Sequence, residues 1–332
     1  MLRQYTSVKV TPKAEKSLKN GHPWVFSDEI TEVNGRYENG DIVDVFSAKD
    51  RYLGSGFIND NSKIRVRVIS RNANDKFDEA FYKRRLKYAV DYRKTVMGDD
   101  FSCCRLIFGE ADQFPGLTVD RFSDVLSVQI ACLGIERIKD MLYRSLLQVL
   151  CEYGVNISAI YERNDLAVRS IEGLPQYKGF YEAEGLKKDL SGHVIITENN
   201  IKYDVDYING QKTGFFLDQK YNRAAVAKIA KGKTVLDCFT HTGAFALNAA
   251  KGGAVSVTAV DISHDALECA KNNARLNGID NMDFVAADVF DLLTEMSKSG
   301  RGPYDFIILD PPAFTKSSGT LKNAIRGYKE IN

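Results

Sequence analysis

"TVLDCFTHTGAF", Thr234 to Phe245, decides how this chain is read. An apolar run ends on an acid, a loop with a single glycine follows, and the apolar segment "GAFALNAAKGG" continues as a helix. The texture then repeats: "VSVTAVDI" leads into "HDALECAKNNARLNG", and "MDFVAAD" and "YDFIILD" are further strands. Near-continuous apolar strands alternating with helices predict a parallel, doubly wound α/β sheet buried on both faces, starting at about residue 210. Ligands of such sheets sit at the carboxyl ends of the strands.

Four strand ends carry an acid: Asp237 after "TVL", Asp261 after "VTAV", Asp288 after "FVAA" and Asp310 after "FIIL". One such carboxylate is also what a helix N-cap looks like. Four together predict a common crevice for a ligand rich in hydroxyls, amines and positive charge. A dinucleotide site would place G-x-G-x-x-G after the first strand to cradle a pyrophosphate. "DCFTHTGAF" has only Gly243 in the turn, which suits a ligand without phosphates, one whose ammonium or sulfonium group Asp237 can approach. Asp261, 24 positions beyond Asp237 (261 − 237), sits where an acid accepts from two ribose hydroxyls. In "ILDPPAF", Pro311 and Pro312 can neither continue a ladder nor enter a helix, so Asp310 is presented at a fixed chain exit.

Upstream, residues 1–73 alternate short strands with Gly, Asn and Asp turns and predict a small β-barrel-like domain. Residues 74–190 predict an α+β domain, opened by the amphipathic helix "DKFDEAFYKRRLKYAVDYRKTV", whose apolar side is Phe77, Phe81, Leu86, Ala89 and Val90. Residues 191–332 open with a hairpin turning at Asn199-Asn200 and carry the doubly wound part.

Hydrophobic residues at 44% and charged residues at 27% are ordinary for a globular protein, and no apolar run nears the roughly 18 residues of a membrane span. With no apolar signal core at the N-terminus, cytoplasm is the expected location. The six cysteines show no paired CxxC spacing, so neither a disulfide framework nor a metal site is expected. A net charge of +1 excludes a surface basic all over, yet two patches stand out. Arg3, Lys9, Lys13, Lys16 and Lys19 face only Glu15, and Lys83, Arg84, Arg85, Lys87, Arg93 and Lys94 crowd one helix. Each patch reads as an RNA track or as a solvated face.

The series "VLDCFTHTGAF", "VDIS", "AADVF" and "LDPPAF" resembles the ordered motifs of a class I S-adenosylmethionine-dependent methyltransferase. "NGQKTGFFLDQKYNR" (209–223), with "GHPWVFSDEI" near the N-terminus, narrows the resemblance to the PUA-domain ribosomal RNA methyltransferases of the 23S rRNA cytosine-5 type. That resemblance implies a PUA-like domain, an α+β middle domain and a Rossmann-like methyltransferase sheet, with S-adenosylmethionine as cofactor and large-subunit ribosomal RNA as partner. Asp237 and Gly243 would line the methionine part, Asp261 would take the ribose, Asp288 and Val289 would bracket the adenine, and Cys238, Phe239 and Ile262 would also belong to the cofactor site. Lys212, Thr213, Phe216, Leu217 and Asp218 would close the site. Asp310, Pro311 and Pro312 would clamp a flipped base while Phe314 stacks on it.

Carbon 5 of cytosine needs a thiolate to add at carbon 6, yet Ala313 stands where some relatives place a cysteine. The resemblance puts the nucleophile further on, after a fifth strand, so the chain ending at Asn332 reads as a fragment lacking its last strands. Guanine N7 methylation, which needs no covalent adduct, is the alternative, and a non-catalytic RNA-binding protein on this fold is another. Oligomeric state leaves no readable trace; a homodimer stays open.

Overall fold

The computed structural model describes residues 5–299, 304–315 and 318–331. Two compact units form: the chain up to Val194 together with Val205–Phe215, and Ile195–Asp204 together with the chain from Phe216 onward.

The first unit opens with β1 (Ser7–Val10), α1 (Pro12–Lys19), β2 (Trp24–Phe26), β3 (Ile30–Asn34), β4 (Ile42–Ser47), β5 (Tyr52–Ile58) and β6 (Ile64–Ser70). Its strands make one sheet in the order β2-β6-β5-β4-β1-β3, curved over a core of Val8, Val10, Val25, Val43, Val45, Ile58 and Val66. Helix α1 is absent from the sequence reading because eight residues carry too little periodicity. Thr11 caps it by accepting the Ala14 N–H, Pro12 opens it, and Ala14 and Leu18 bury one stripe.

The unit continues with α2 (Glu79–Met97), β7 (Cys103–Phe108), β8 (Leu117–Phe122), β9 (Val125–Ile130), α3 (Leu133–Arg137), α4 (Lys139–Glu152), β10 (Ala159–Asn164), α5 (Val168–Ile171) and β11 (Tyr177–Phe180). A second sheet runs β11-β10-β9-β8-β7, and α2 packs with α4 through Leu86, Val90, Leu142 and Leu146. Helix α2 starts later than the sequence suggests. Asp78 accepts the Phe81 N–H at 2.9 Å as its cap, so Phe77 lies outside the helix. Buried polar groups tie the two sheets together: Glu172 accepts from Arg67 at 2.8 Å and from Asn59 at 3.0 Å.

The hairpin of β12 (His193–Glu198) and β13 (Ile201–Asp206) turns at Asn199 (φ 54°) and Asn200 (φ 60°), both left-handed as a two-residue hairpin demands. Alternation holds in β13, where Ile201, Tyr203 and Val205 are buried.

The second unit holds α6 (Lys220–Ile229), β14 (Thr234–Cys238), α7 (Ala244–Lys251), β15 (Ser256–Asp261), α8 (His264–Leu276), β16 (Met282–Ala286), α9 (Val289–Ser299), β17 (Phe306–Leu309) and α10 (Leu321–Ile331). Its sheet is parallel with order β16-β15-β14-β17. The order reverses between β14 and β17, and a ligand crevice opens at such a switch point. One face packs Val235, Val257, Ala259 and Ile308 against Ala246 and Ala249; the other packs Leu236, Cys238 and Val260 against Val289, Leu292 and Leu293. Among the described residues β17 is an edge strand with Ile307 46% exposed, and α10 turns Leu321, Ile325 and Tyr328 outward.

Candidate active site

The strand registers give the heights of the four acids. Cys238 is level with Val260 on one side and Leu309 on the other, so Asp261 and Asp310, each one residue further on, flank the exit of β14 at one height. Asp237 lies one residue below Cys238, at 1% exposure, and Asp288 follows Ala286, the partner of Asp261, by two residues. The tips therefore form a rim of three acids with a fourth at its floor.

Asp237 is built into the floor by its neighbours. Its Oδ2 accepts from Thr240 Oγ1 at 2.6 Å and from the Ala246 N–H at 3.0 Å, while Oδ1 is buried with no partner among the described residues. A buried carboxylate oxygen without a donor is costly, and a cationic ligand group would satisfy it. Burial, with Asp310 and Asp261 adding repulsion, pushes the Asp237 carboxyl up to about 7.

The loop after β14 is bent through left-handed residues: Phe239 at φ 62°, His241 at 51° and Gly243 at 77°. At Gly243 a side chain is also excluded by space, since a Cβ would meet the Ala270 Cβ of α8 at 2.9 Å. Asp261 holds the bend. Its Oδ2 accepts the His241 N–H and its Oδ1 the Ser263 N–H, both at 2.9 Å, and lone pairs remain for a ligand hydroxyl. Burial lowers the His241 imidazole, with Asp261 opposing, and the ring is set edge-on to Phe216 at 5.6 Å.

Beyond the rim, Ile262 is 69% exposed and offers an apolar surface beside Asp261. Asp288 accepts the Phe290 N–H at 2.8 Å; Val289 is core, 3% exposed. Cys238 is fully buried, and burial together with Asp237 pushes its thiol up to about 12, so only its backbone can face a ligand. Phe239, Phe290, Phe314 and Tyr328 form a chain of aromatic rings, the Phe314–Tyr328 centroids 4.5 Å apart.

Asp310 is exposed at the end of β17, followed by half-buried Pro311 and exposed Pro312. Gln219 donates from Nε2 to Oδ2 at 3.3 Å and to Oδ1 at 3.5 Å. Burial raises the Asp310 carboxyl, Asp218 raises it further, and Arg223 opposes both. Arg223 is itself bound by Glu198 at 2.7 and 2.9 Å and donates to the Phe216 carbonyl at 3.0 Å, which fixes the turn carrying Leu217 and Asp218. Lys212 and Thr213 belong to the first unit, where the Thr213 hydroxyl donates to Asp120 at 2.6 Å.

His241, Thr240, Gln219 and the Glu198–Arg223 pair escape a motif-based reading. The signal for Gln219 and Arg223 was present in "GFFLDQKYNR"; Glu198 leaves none. Both basic patches are also less free than composition suggests. Lys9 pairs with Glu32 and Asp50, Lys13 with Glu29, and Lys19 with Glu15, while Arg3 lies outside the described residues. On α2, Arg93 is a buried bidentate partner of Asp112, Arg84 and Arg85 turn to Asp75, Lys83 and Lys87 share Glu152, and Lys94 lies over the Tyr153 ring.

A family model described as a PUA-like domain matches residues 8–71, and one described as an S-adenosylmethionine-dependent methyltransferase matches residues 176–331. The first sheet, the parallel order β16-β15-β14-β17 and these matches define an S-adenosylmethionine-dependent methyltransferase with an N-terminal PUA-like domain. Ribosomal RNA large subunit methyltransferase I of Aeromonas salmonicida is 42% identical over 321 residues, covering 96% of this chain and 78% of that protein. Its namesake from Shewanella denitrificans is 41% identical over 329 residues, covering 98% and 80%. This chain belongs to the ribosomal RNA large subunit methyltransferase I family. Among solved structures, a candidate SAM-dependent methyltransferase from Streptococcus mutans matches with a TM-score of 0.76 at 26% identity, over 96% of this chain and 81% of that one. SMU.776, a candidate methyltransferase in complex with SAH, matches with 0.78 at 26% identity, over 98% and 82%.

Proposed function

We propose that this methyltransferase acts on a base of large-subunit ribosomal RNA, first of all carbon 5 of a cytosine. The names of the relatives and the PUA-like domain support the RNA substrate. The observation that carries the site is the lone Oδ1 of Asp237, buried at the floor of a rim of acids on the switch point. In this reading S-adenosylmethionine supplies an electrophilic methyl on its sulfonium. Asp237 takes the amino group of its methionine part, Asp261 the ribose hydroxyls, Ile262 and Asp288 the adenine, and the bent Phe239–Gly243 loop lines the cavity. Cys238 contributes main chain only, and Leu217 and Asp218 border the entrance, with Lys212 and Thr213 placed there by resemblance alone.

Asp310 meets the polar edge of a base flipped out of the RNA, Pro311 and Pro312 keep it from swinging, and Phe314 covers the base face. For carbon 5, a thiolate adds to carbon 6, carbon 5 takes the methyl, and loss of the carbon-5 proton then expels the thiolate. Cys238, held as a buried thiol, does not fit that role. The absence of an activated thiol among the described residues of the rim favours guanine N7 as the second reading, since its lone pair attacks directly.

The test is a nucleoside digest of unmodified large-subunit RNA after incubation with the protein and S-adenosylmethionine. A rise in 5-methylcytidine is expected. A rise in 7-methylguanosine alone overturns the cytosine reading, and no methylated nucleoside overturns the RNA reading.

A further inference from the structure

Two polar side chains stand in series behind the carboxylate of Asp310. Asn222 Nδ2 donates to Gln219 Oε1 at 2.6 Å, and Gln219 Nε2 donates in turn to Asp310 Oδ2 and Oδ1 at 3.3 and 3.5 Å. A glutamine amide can face either way round, and here the carboxylate decides it: an acceptor-only group calls for the NH2 end, which leaves Gln219 Oε1 to accept from Asn222. The turned-over amide would set its carbonyl against a carboxylate. Asp218, the residue before Gln219, bears on Asp310 as a second negative charge, and Arg223, whose hydrogen bonds go to Glu198 and the Phe216 carbonyl, opposes it through space without a hydrogen bond to Asp310 among the described contacts. Gln219 is therefore the neutral donor that holds Asp310 beside a like charge. Its contacts are long and reach both oxygens, so lone pairs remain free for a base.

We infer that Gln219 is the positioning residue of Asp310, with Asn222 behind it, and that together they present the carboxylate as a pure acceptor to a base edge bearing an amino or imino N–H. This rests on the reading of Asp310 as the residue that meets the base. It follows that the site favours a base edge that presents an amino group, as cytosine, adenine and guanine do, over the O4 of uracil, where acceptor would meet acceptor.

The full-length protein tests the inference through Gln219→Ala, Gln219→Glu and Asn222→Ala. With S-adenosylmethionine saturating, Gln219→Ala should lower kcat/KM for RNA by about ten-fold or more, the scale of a lost charge-assisted hydrogen bond, while calorimetric affinity for the cofactor changes less than about two-fold. Asn222→Ala should follow with a smaller loss. Gln219→Glu should be worse than Gln219→Ala at pH 8 and recover as the pH falls toward 5, where the introduced carboxyl is protonated and can donate to Asp310. A pH profile for Gln219→Glu parallel to that of the parent would overturn the inference, as would full activity of Gln219→Ala.

A second measurement needs no turnover. In protein labelled with carbon-13 at aspartate, the Asp310 carboxyl, assigned by its loss in Asp310→Asn, should titrate at higher pH in Gln219→Ala than in the parent. An unmoved titration overturns the inference. A parent protein that leaves RNA unmethylated overturns the proposed function, and the titration then decides the Gln219 contact by itself.

Discussion

The carboxylate of Asp261 accepts the main-chain N–H of His241 at 2.9 Å, so the tip of the second strand of the methyltransferase sheet holds the loop that leaves the first. In the proposed reading, ribose binding and loop geometry are thereby joined in one side chain. His241 sits at φ 51°, a conformation that costs a non-glycine residue on the order of 1–3 kcal/mol, and the bond to Asp261 offsets it. Asp261→Ala should weaken S-adenosylmethionine binding by at least about ten-fold and speed hydrogen exchange at the amides of 239–243. Calorimetry with exchange mass spectrometry checks both; unchanged exchange would separate the loop from the acid.

Asp237 makes stability depend on pH in a stated direction. Its carboxyl is raised in the folded protein from 3.8 to about 7, so folding favours its protonated form. That contribution is complete below about 4 and is lost as pH rises through about 7. Unfolding by urea across this window should show a falling component that Asp237→Asn removes. A cationic ligand group reverses the preference, so cofactor binding near pH 6 should release a proton, seen as buffer-dependent heat. Asp237→Asn should abolish that release and weaken binding by about ten-fold or more.

Arg223 and Glu198 form a buried pair, 2% and 0% exposed. Removing the guanidinium takes the bidentate counter-charge from buried Glu198, so Arg223→Ala should cost about 3–5 kcal/mol of stability in urea denaturation. The Phe216 carbonyl loses its donor as well, and the Leu217–Gln219 turn should become open to proteolysis. A cost below about 1 kcal/mol would mean that water replaces the guanidinium.

Cys238 gives the opposite kind of prediction. A buried thiol held up near 12 is no nucleophile, so Cys238→Ala should retain methyl transfer and cofactor affinity to within a few-fold. Loss of turnover with intact cofactor binding would return Cys238 to the chemistry.

The acidic strand tips could be read in the sequence because each closes an apolar run whose period and length mark a buried parallel strand. Their heights could not. Asp237 and Asp310 look equivalent in "TVLD" and "FIILD", and only the strand registers place one at the floor and the other at the rim. The bend at Phe239 was invisible because an aromatic residue does not advertise a left-handed backbone, and a lone His241 signals it weakly, whereas Asn199-Asn200 does and was read as a turn. The partners of the basic helix lie far along the chain, Asp112 for Arg93 and Glu152 for Lys83 and Lys87, so local charge counting could not see which of these side chains are paired.

The central claim is that the acids at the ends of β14 and β15 form the seat of S-adenosylmethionine. A crystal of this protein grown with S-adenosylhomocysteine tests it most directly. The amino group of the ligand should lie within hydrogen-bond distance of Asp237 Oδ1, with both ribose hydroxyls on Asp261. Ligand density away from the β14–β17 switch point, or an Asp237 Oδ1 still without a partner, would contradict it.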